Sequence, residues 1–420
     1  MGSGAILPAM QNRVWVWIAV LWVGSAAPGW GQHGADSGPV WQMQDSGTTA
    51  GLRGIDSVDG TVAWASGTGG TVLRTVDGGA HWTRCAVPDA EKDGATLDFR
   101  GVQAWDAETA IVMASGPGEK SRLYKTADGC GTWRLLFTNP DQKGFWDSFV
   151  AAIWPAEDNS LALCKPGTKV IGGAILGDPV VHKSNRLDTT TLTSFYLAGF
   201  EVGINCPIEK LGSSVSSIFA LNDDEVAFAA SNSVLNEIGP GDYWVATNTR
   251  LIQYRRGATL PNNYTAELFC DIGFSFGNHS ATSGVFSLGI RPGSFEAPKA
   301  AKIGGFQWKA SSCQRADMVA VGGDYRSIEN RQNTAATTSG TNKFQLSEVP
   351  PHGYRSSVQW SEPLKVWITA GTNGSDISRD DGRTWQPLDD GNWNALSLPF
   401  IVGPNGRIAR LNPSAMPTGK

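Results

Sequence analysis

Apolar and polar residues alternate in short runs along most of this chain, and the runs recur in sets of four. The stretch "LRGIDSVDGTVAWASGTGGTVLRTVDGGAHW" (52–82) sets the pattern. Three alternating runs are each cut off by glycine or aspartate, and a turn and a tryptophan then lead into a fourth. A two-residue period turns successive side chains to opposite faces of a strand, and Gly/Asp clusters end strands. "FRGVQAWDAETAIVMASGPGEKSRLYKTADGCGTW" (99–133) and "YRSSVQWSEPLKVWITAGTNGSDISRDDGRTW" (354–385) repeat the arrangement. No copy carries helical periodicity, which argues against a solenoid of helix pairs. Four short strands recurring roughly every 50 residues predict an all-β fold, a β-propeller of four-stranded blades.

The turn before each tryptophan has the spacing S/T-x-D-x-G-x-T-W. It runs from Thr75 through Asp77 and Gly79 to Trp82, from Thr126 through Asp128 to Trp133, and from Ser378 through Asp380 and Gly382 to Trp385. Cys130 stands where the other two copies have glycine. The aspartate is expected to accept backbone N–H groups within the loop, and the glycine to supply a positive φ. The hydroxyl closes the loop, and the tryptophan packs between neighbouring sheets. These residues read as scaffold, not as catalysts.

Weaker units fill the middle. First strands are expected at "FWDSFVAAIW" (145–154), "VSSIFAL" (215–221) and "GVFSLGI" (284–290), and second strands at "GAILGD" (173–178), "EVAFAAS" (225–231) and "MVAVGGD" (318–324). "HKSNRLDTTTLTSFY" (182–196) is the least blade-like stretch and receives no assignment. A partial unit, "NALSLPFIVGPNGRIARL" (394–411), needs an outer strand, which "PVWQMQDSG" (39–47) near the N-terminus can supply. Such closure removes exposed sheet edges. Counting first strands gives seven blades, with six as the alternative.

Composition adds to this picture without changing it. The 51 glycines suit many tight turns, and the 17 tryptophans suit a repeated packing position. A net charge of −5 with no basic run argues against a nucleic-acid partner. Arg13, the apolar run Val14–Val23 and the small residues after it read as an export signal over residues 1–31, with Met10 as an alternative start. The run is too short to make a comfortable bilayer span, so stable membrane insertion is not expected. Residues 32–420 would then form one propeller domain. Cys85 and Cys130 fall in adjacent repeats, and an exported chain tolerates a disulfide between them; two buried thiols is the competing reading. No C-x-x-C pair supports a metal site.

The glycine-rich blades and their turns resemble the Asp-box (BNR-repeat) propellers. The fuller pattern resembles the photosystem II stability/assembly-factor-like propellers and their exported bacterial relatives. That resemblance implies a propeller used as a binding or assembly scaffold. Sialidases share the Asp-box, but the Ile-Pro expected after Phe/Tyr-Arg is missing, since Phe99-Arg100 and Tyr354-Arg355 continue as "GV" and "SS".

Propeller geometry singles out one face, opposite the Asp-box turns. Arg53, Arg100 and Arg355 are expected at the starts of first strands beside the central channel, with Asp147 in the same register. Asp178 and Asp324 should end second strands, with Tyr325 alongside. Arginine forks suit carboxylate or phosphate groups; the bland reading is that each arginine pairs with a neighbouring acid and stabilises blade contacts. The expectation is an exported, non-catalytic scaffold for a protein partner, with no cofactor and no metal, and with a glycan ligand left open. The alternative is a glycan-active hydrolase using acids at the channel mouth.

Overall fold

The computed structural model describes residues 38–88, 97–155, 168–183, 191–204, 209–211, 225–228, 230–239, 242–256, 264–271, 276–278, 280–294, 316–338 and 343–418, all within one compact unit, Gly38–Lys420. The expected export signal lies outside the described residues. Seven separate four-stranded antiparallel sheets make up the fold. Strand β1 (Trp41–Gln44) is followed by blade 1, β2 to β5 (Leu52–Ser57, Ala63–Gly67, Thr71–Thr75, Thr83–Cys85). Blade 2 is β6 to β9 (Asp98–Ala104, Thr109–Ser115, Arg122–Ala127, Arg134–Thr138), and blade 3 is β10 to β13 (Trp146–Pro155, Lys169–Lys183, Thr191–Gly203, Glu209–Leu211). Blade 4 is β14 to β17 (Leu235–Gly239, Asp242–Ala246, Arg250–Arg256, Tyr264–Asp271), and blade 5 is β18 to β21 (Ser283–Ile290, Met318–Asp324, Ala335–Thr337, Gln345–Leu346). Blade 6 is β22 to β25 (Ser357–Ser361, Val366–Gly371, Gly374–Ser378, Gln386–Asp389). Blade 7 takes β26 to β28 (Ala395–Ser397, Phe400–Val402, Ile408–Leu411) and is completed by β1, which pairs with β28. The N-terminal strand therefore closes the ring, as the pattern at 39–47 predicts.

Second strands are buried along their whole length in blades 1, 2, 5 and 6, whereas outer strands such as β5 and β25 are largely exposed. The cause is packing on both faces: an inner strand meets a neighbouring blade on each side, and an outer strand meets water. Side chains also latch blade to blade around the channel. Asp56 Oδ2 accepts from the Ala104 N–H, Gln103 Oε1 from Ala151, and Gln359 Oε1 from Leu398, each at 2.7 Å.

The three turns have one hydrogen-bond plan. The Asp77, Asp128 and Asp380 carboxylates each accept the backbone N–H four residues on, at 2.9 Å. Thr75, Thr126 and Ser378 each donate to that aspartate and accept the N–H of the residue four further on, Gly79, Cys130 and Gly382. These three residues adopt positive φ, so Cys130 holds a conformation that glycine holds in the other two copies. Trp133 meets Trp64 of blade 1 edge-on at 6.2 Å, and Trp82 meets Phe400 of blade 7 at 5.7 Å. Trp385 is buried with Val319 and Val321 of blade 5. Each ring thus packs on the preceding blade. Cys85 and Cys130 are bonded, their Cα atoms 5.5 Å apart, tying the outer strand of blade 1 to the turn of blade 2.

Blade 4 departs from the reading of the sequence. Residues 225–228 form no strand, and the inner strand of that blade is β14; the stretch 215–221 lies outside the described residues. Glu225 instead pairs with Arg250, and Phe228 lies against Phe286. The unassigned stretch 182–196 begins at the end of β11 and finishes in β12.

Candidate binding site at the channel mouth

The inner strands carry a repeated irregularity near their first residues. Register shifts by one between Leu52 and Gly54, Phe99 and Gly101, Trp146 and Ser148, and Val285 and Ser287. The unpaired residue is therefore Arg53, Arg100, Asp147 or Phe286. A bulge turns such a side chain away from the regular pleat, and here all four line one cavity of about 590 Å³ at the mouth of the channel. Asp178, Tyr325, Tyr354 and Phe228 line it too.

One wall is charged. Arg53 and Arg100 share Asp98, their Nε atoms 3.0 and 3.1 Å from its two carboxylate oxygens. One acid thus serves two guanidiniums, and both arginine side chains stay about one-third exposed, at 39% and 31%. The Arg100 guanidinium also lies over the Phe145 ring, 5.3 Å from its centroid. Beside it the Asp147 carboxyl is pushed up to about 7, first by desolvation and then by the charge of Asp178, against the pull of Arg100. Desolvation in the cavity raises the Asp178 carboxyl as well. Near neutral pH Asp147 is therefore partly protonated, and the arginines keep the wall receptive to an anion.

The opposite wall is aromatic. Phe228 stacks on Phe286 at 4.6 Å and 13°, and Tyr325 stands edge-on to both at 6.3 and 6.1 Å. Tyr354 meets Phe286 edge-on at 4.9 Å. Gly284 makes the stack feasible, because a Cβ there would lie 2.5 Å from the Phe228 ring. Tyr325 remains 44% exposed, which leaves its ring open to a ligand. The floor is a short segment of blade 4. Asn232 Oδ1 accepts from Phe149 N–H and Ser148 Oγ at 2.7 and 3.0 Å, and Ser231 Oγ donates to the Ser356 carbonyl at 2.6 Å. The segment thereby bridges blades 3 and 6 and separates the mouth from a second cavity of about 350 Å³ deeper in the channel.

Two of the expected mouth residues lie elsewhere. Arg355 is fully buried and does not line the cavity. The backbone explains why. Arg355 N–H donates to Gly322 O in the preceding blade's second strand, as Leu52 N–H donates to Gly403 O. Arg355 therefore occupies the core position of Leu52, one residue before that of Arg53. Its guanidinium pairs with the buried Asp376, donating through Nε at 2.7 Å, and also donates to Asn373 Oδ1 and the Tyr354 carbonyl, both at 2.6 Å. His352 Nδ1 lies 2.7 Å from the other Asp376 oxygen. Burial opposes the charge on Asp376, but His352 and Arg355 together hold its carboxyl below the usual range.

Asp324 is buried as well. It accepts from Thr282 Oγ1 at 2.7 Å, Ser280 Oγ at 2.9 Å and the Arg326 N–H at 2.9 Å. Burial raises its carboxyl, yet these bonds prevail and hold it at about 2. Asp324 thus anchors the turn that presents Tyr325. Asp178 lies in the cavity but not at a strand end, because β11 continues to Lys183. Asp98, Phe228 and Phe286 were missed in the sequence. Asp98 sits two residues before Arg100, on the same side of the strand, and Phe286 appears once "VFS" is set beside "LRG", "FRG" and "WDS". Among the described residues no cluster of three or more His, Cys, Asp or Glu side chains could hold a metal ion.

No family model and no curated protein matches the chain. Solved structures do. A structure of YCF48 bound to a D1 peptide matches with a TM-score of 0.52 and 15% identity, covering 89% of this chain and 96% of that one. YCF48 from Cyanidioschyzon merolae matches at 0.49 and 14%, covering 89% and 99%. At this level of identity the likeness is one of fold. In fold, this chain is a seven-bladed β-propeller similar to YCF48.

Proposed function

We propose that this protein is an exported, non-catalytic scaffold that holds a segment of a protein partner in the cavity at the channel mouth. The observation that carries the reading is the cavity's two-sided chemistry. Arg53 and Arg100 share a single acid on one wall, and Tyr325, Phe228 and Phe286 form the other. A polypeptide offers carboxylate and apolar groups side by side, and charge-assisted contacts to arginine contribute about 1.5–3 kcal/mol each. The peptide bound to YCF48 is consistent with this use of the fold. Export is supported by the N-terminal charge and apolar run, and by the Cys85–Cys130 bond, which suits an oxidising compartment. Among the described residues no helix is long and apolar enough to cross a membrane. The test is affinity capture from the native envelope fraction with wild-type protein and with Arg53→Gln/Arg100→Gln, each checked by thermal melting. A discrete partner that the double variant loses while melting normally supports the reading; equal capture by both rejects it.

A second reading, a glycan-active hydrolase, draws on one observation: Asp147 and Asp178 share the cavity, and Asp147 holds its proton to about 7. Glycoside hydrolysis uses two carboxyl groups, one of which keeps a raised pKa as the proton donor. This reading requires turnover of aryl glycosides that disappears in Asp147→Asn, and its absence at pH 5–8 removes the hydrolase.

A further inference from the structure

Blade 3 has a feature that the pairing of its strands makes plain. β10 pairs with β11 only as far as Gly177. β11 and β12 continue together beyond it, from Pro179 opposite Phe195 to Lys183 opposite Thr191. The outer strand β13 covers only Phe200 to Val202 of β12. Five residue pairs thus form a two-stranded ribbon beyond the four-stranded sheet, roughly 16 Å long at about 3.3 Å per residue. In blades 1, 4 and 6 the same connection closes within a few residues, at Gly67–Thr71, Ala246–Arg250 and Gly371–Gly374.

The ribbon's position matters more than its length. The inner edge of β11 is the side that β10 covers in the body of the blade. Beyond Asp178, whose N–H still donates to Phe145 O at 3.0 Å, that edge pairs with no strand among the described residues. The three residues just before it, Leu176, Gly177 and Asp178, line the mouth cavity. The unpaired edge therefore begins where the cavity lining on β11 ends. Exposed strand edges template pairing with another chain, and folds normally shorten or cover them. An edge unpaired among the described residues, next to a half-aromatic cavity, has the two parts needed for strand addition, backbone pairing for affinity and a side-chain pocket for specificity.

We propose that the inner edge at residues 179–183 takes up an extended segment of the partner protein as an added strand, with one apolar or aromatic side chain of that segment seated against Phe228, Phe286 and Tyr325. This rests on the reading of the mouth as a protein-binding site and adds how the segment is held. Backbone pairing recognises any extended chain, so selectivity comes from the cavity. Pro179 has no N–H to donate, and the β11–β12 register turns the N–H groups of Val180 and His182 toward β12, so the N–H groups offered on this edge are those of Val181 and Lys183.

The test uses a probe peptide obtained by panning a random dodecamer phage library on the full chain, then synthesised with single backbone N-methyl groups at successive positions. Strand addition predicts that alternate methylations weaken binding at least tenfold and that the intervening ones are silent, because only every second amide faces the partner strand. It also predicts slowed amide exchange within 180–183 on binding, and at least tenfold weaker binding by Phe286→Ala. Binding that is lost in Phe286→Ala but indifferent to every N-methyl group overturns the ribbon's role and leaves the mouth as the site. Binding indifferent to both Phe286→Ala and Arg100→Gln overturns the mouth reading and the ribbon with it. Selection of no binding peptide, or self-association of the chain that protects 180–183 without peptide, also rejects the proposal.

Discussion

Replacing Arg355 by glutamine separates a structural arginine from a binding one. In the wild type its guanidinium meets Asp376, Asn373 and the Tyr354 carbonyl, and both Arg355 and Asp376 are fully removed from solvent. Glutamine is too short to reach the same set. It leaves Asp376 buried with His352 as its remaining side-chain partner. Breaking a buried pair from one side costs about 3–5 kcal/mol. For a unit of roughly 380 residues, an unfolding entropy of about 2.1 cal/mol/K per residue converts that loss to about 4–6 °C in Tm. The assay is thermal unfolding by circular dichroism at pH 7, repeated down to pH 4. Asp376 is held below its usual range, so the wild type keeps the contribution of this pair above the unfolded pKa and loses it only as pH falls through the folded value. In the variant, protonation removes the stranded charge sooner, so the gap to wild type should narrow toward pH 4. A Tm within about 1 °C of wild type, together with loss of partner capture, would refute the placement and return Arg355 to the binding surface.

Three further outcomes follow from the same geometry. Replacing both Cys85 and Cys130 by serine should destabilise by up to about 4 kcal/mol, the chain-entropy value for a 45-residue loop, read as the shift in urea midpoint against the oxidised wild type. Trp385→Ala should cost about 3–5 kcal/mol because the ring is only 2% exposed and fills the contact between blades 5 and 6; Trp82→Ala, whose ring is half-buried, should cost less in the same melt. Asp147→Asn should equal wild type near pH 4 and exceed it in stability at pH 8. The raised carboxyl stabilises the fold while protonated, and that contribution is lost as pH rises toward and through about 7; equal denaturant midpoints at pH 8 would contradict the desolvation of this group.

The scaffold was legible in the sequence because its chemistry is local. The hydroxyl, aspartate and positive-φ residue of each turn lie within eight positions of one another, so the spacing alone carries the hydrogen-bond plan. The mouth was legible where letter and backbone register coincide, as at Arg53, Arg100 and Asp147. At Arg355 they diverge by one residue, and one residue in a strand moves a side chain from channel to core. Nothing near Arg355 in the sequence announces Asp376, which approaches from two strands away. "EVAFAAS" misled because its apolar run serves a mouth wall and a channel floor, not a strand. The ribbon of blade 3 was missed because its strands, although near in sequence, carry no Asp-box turn motif between them.

The most direct test of a partner held at the mouth is a photo-crosslink in living cells. A benzoyl-phenylalanine at Tyr325, exposed at the cavity, is compared with one at Val76, exposed on the Asp-box face. The account predicts a discrete protein adduct from position 325 that fades in the Arg53→Gln/Arg100→Gln background, and none from position 76. An adduct of equal strength from position 76, or one from 325 that ignores both arginines, would contradict it.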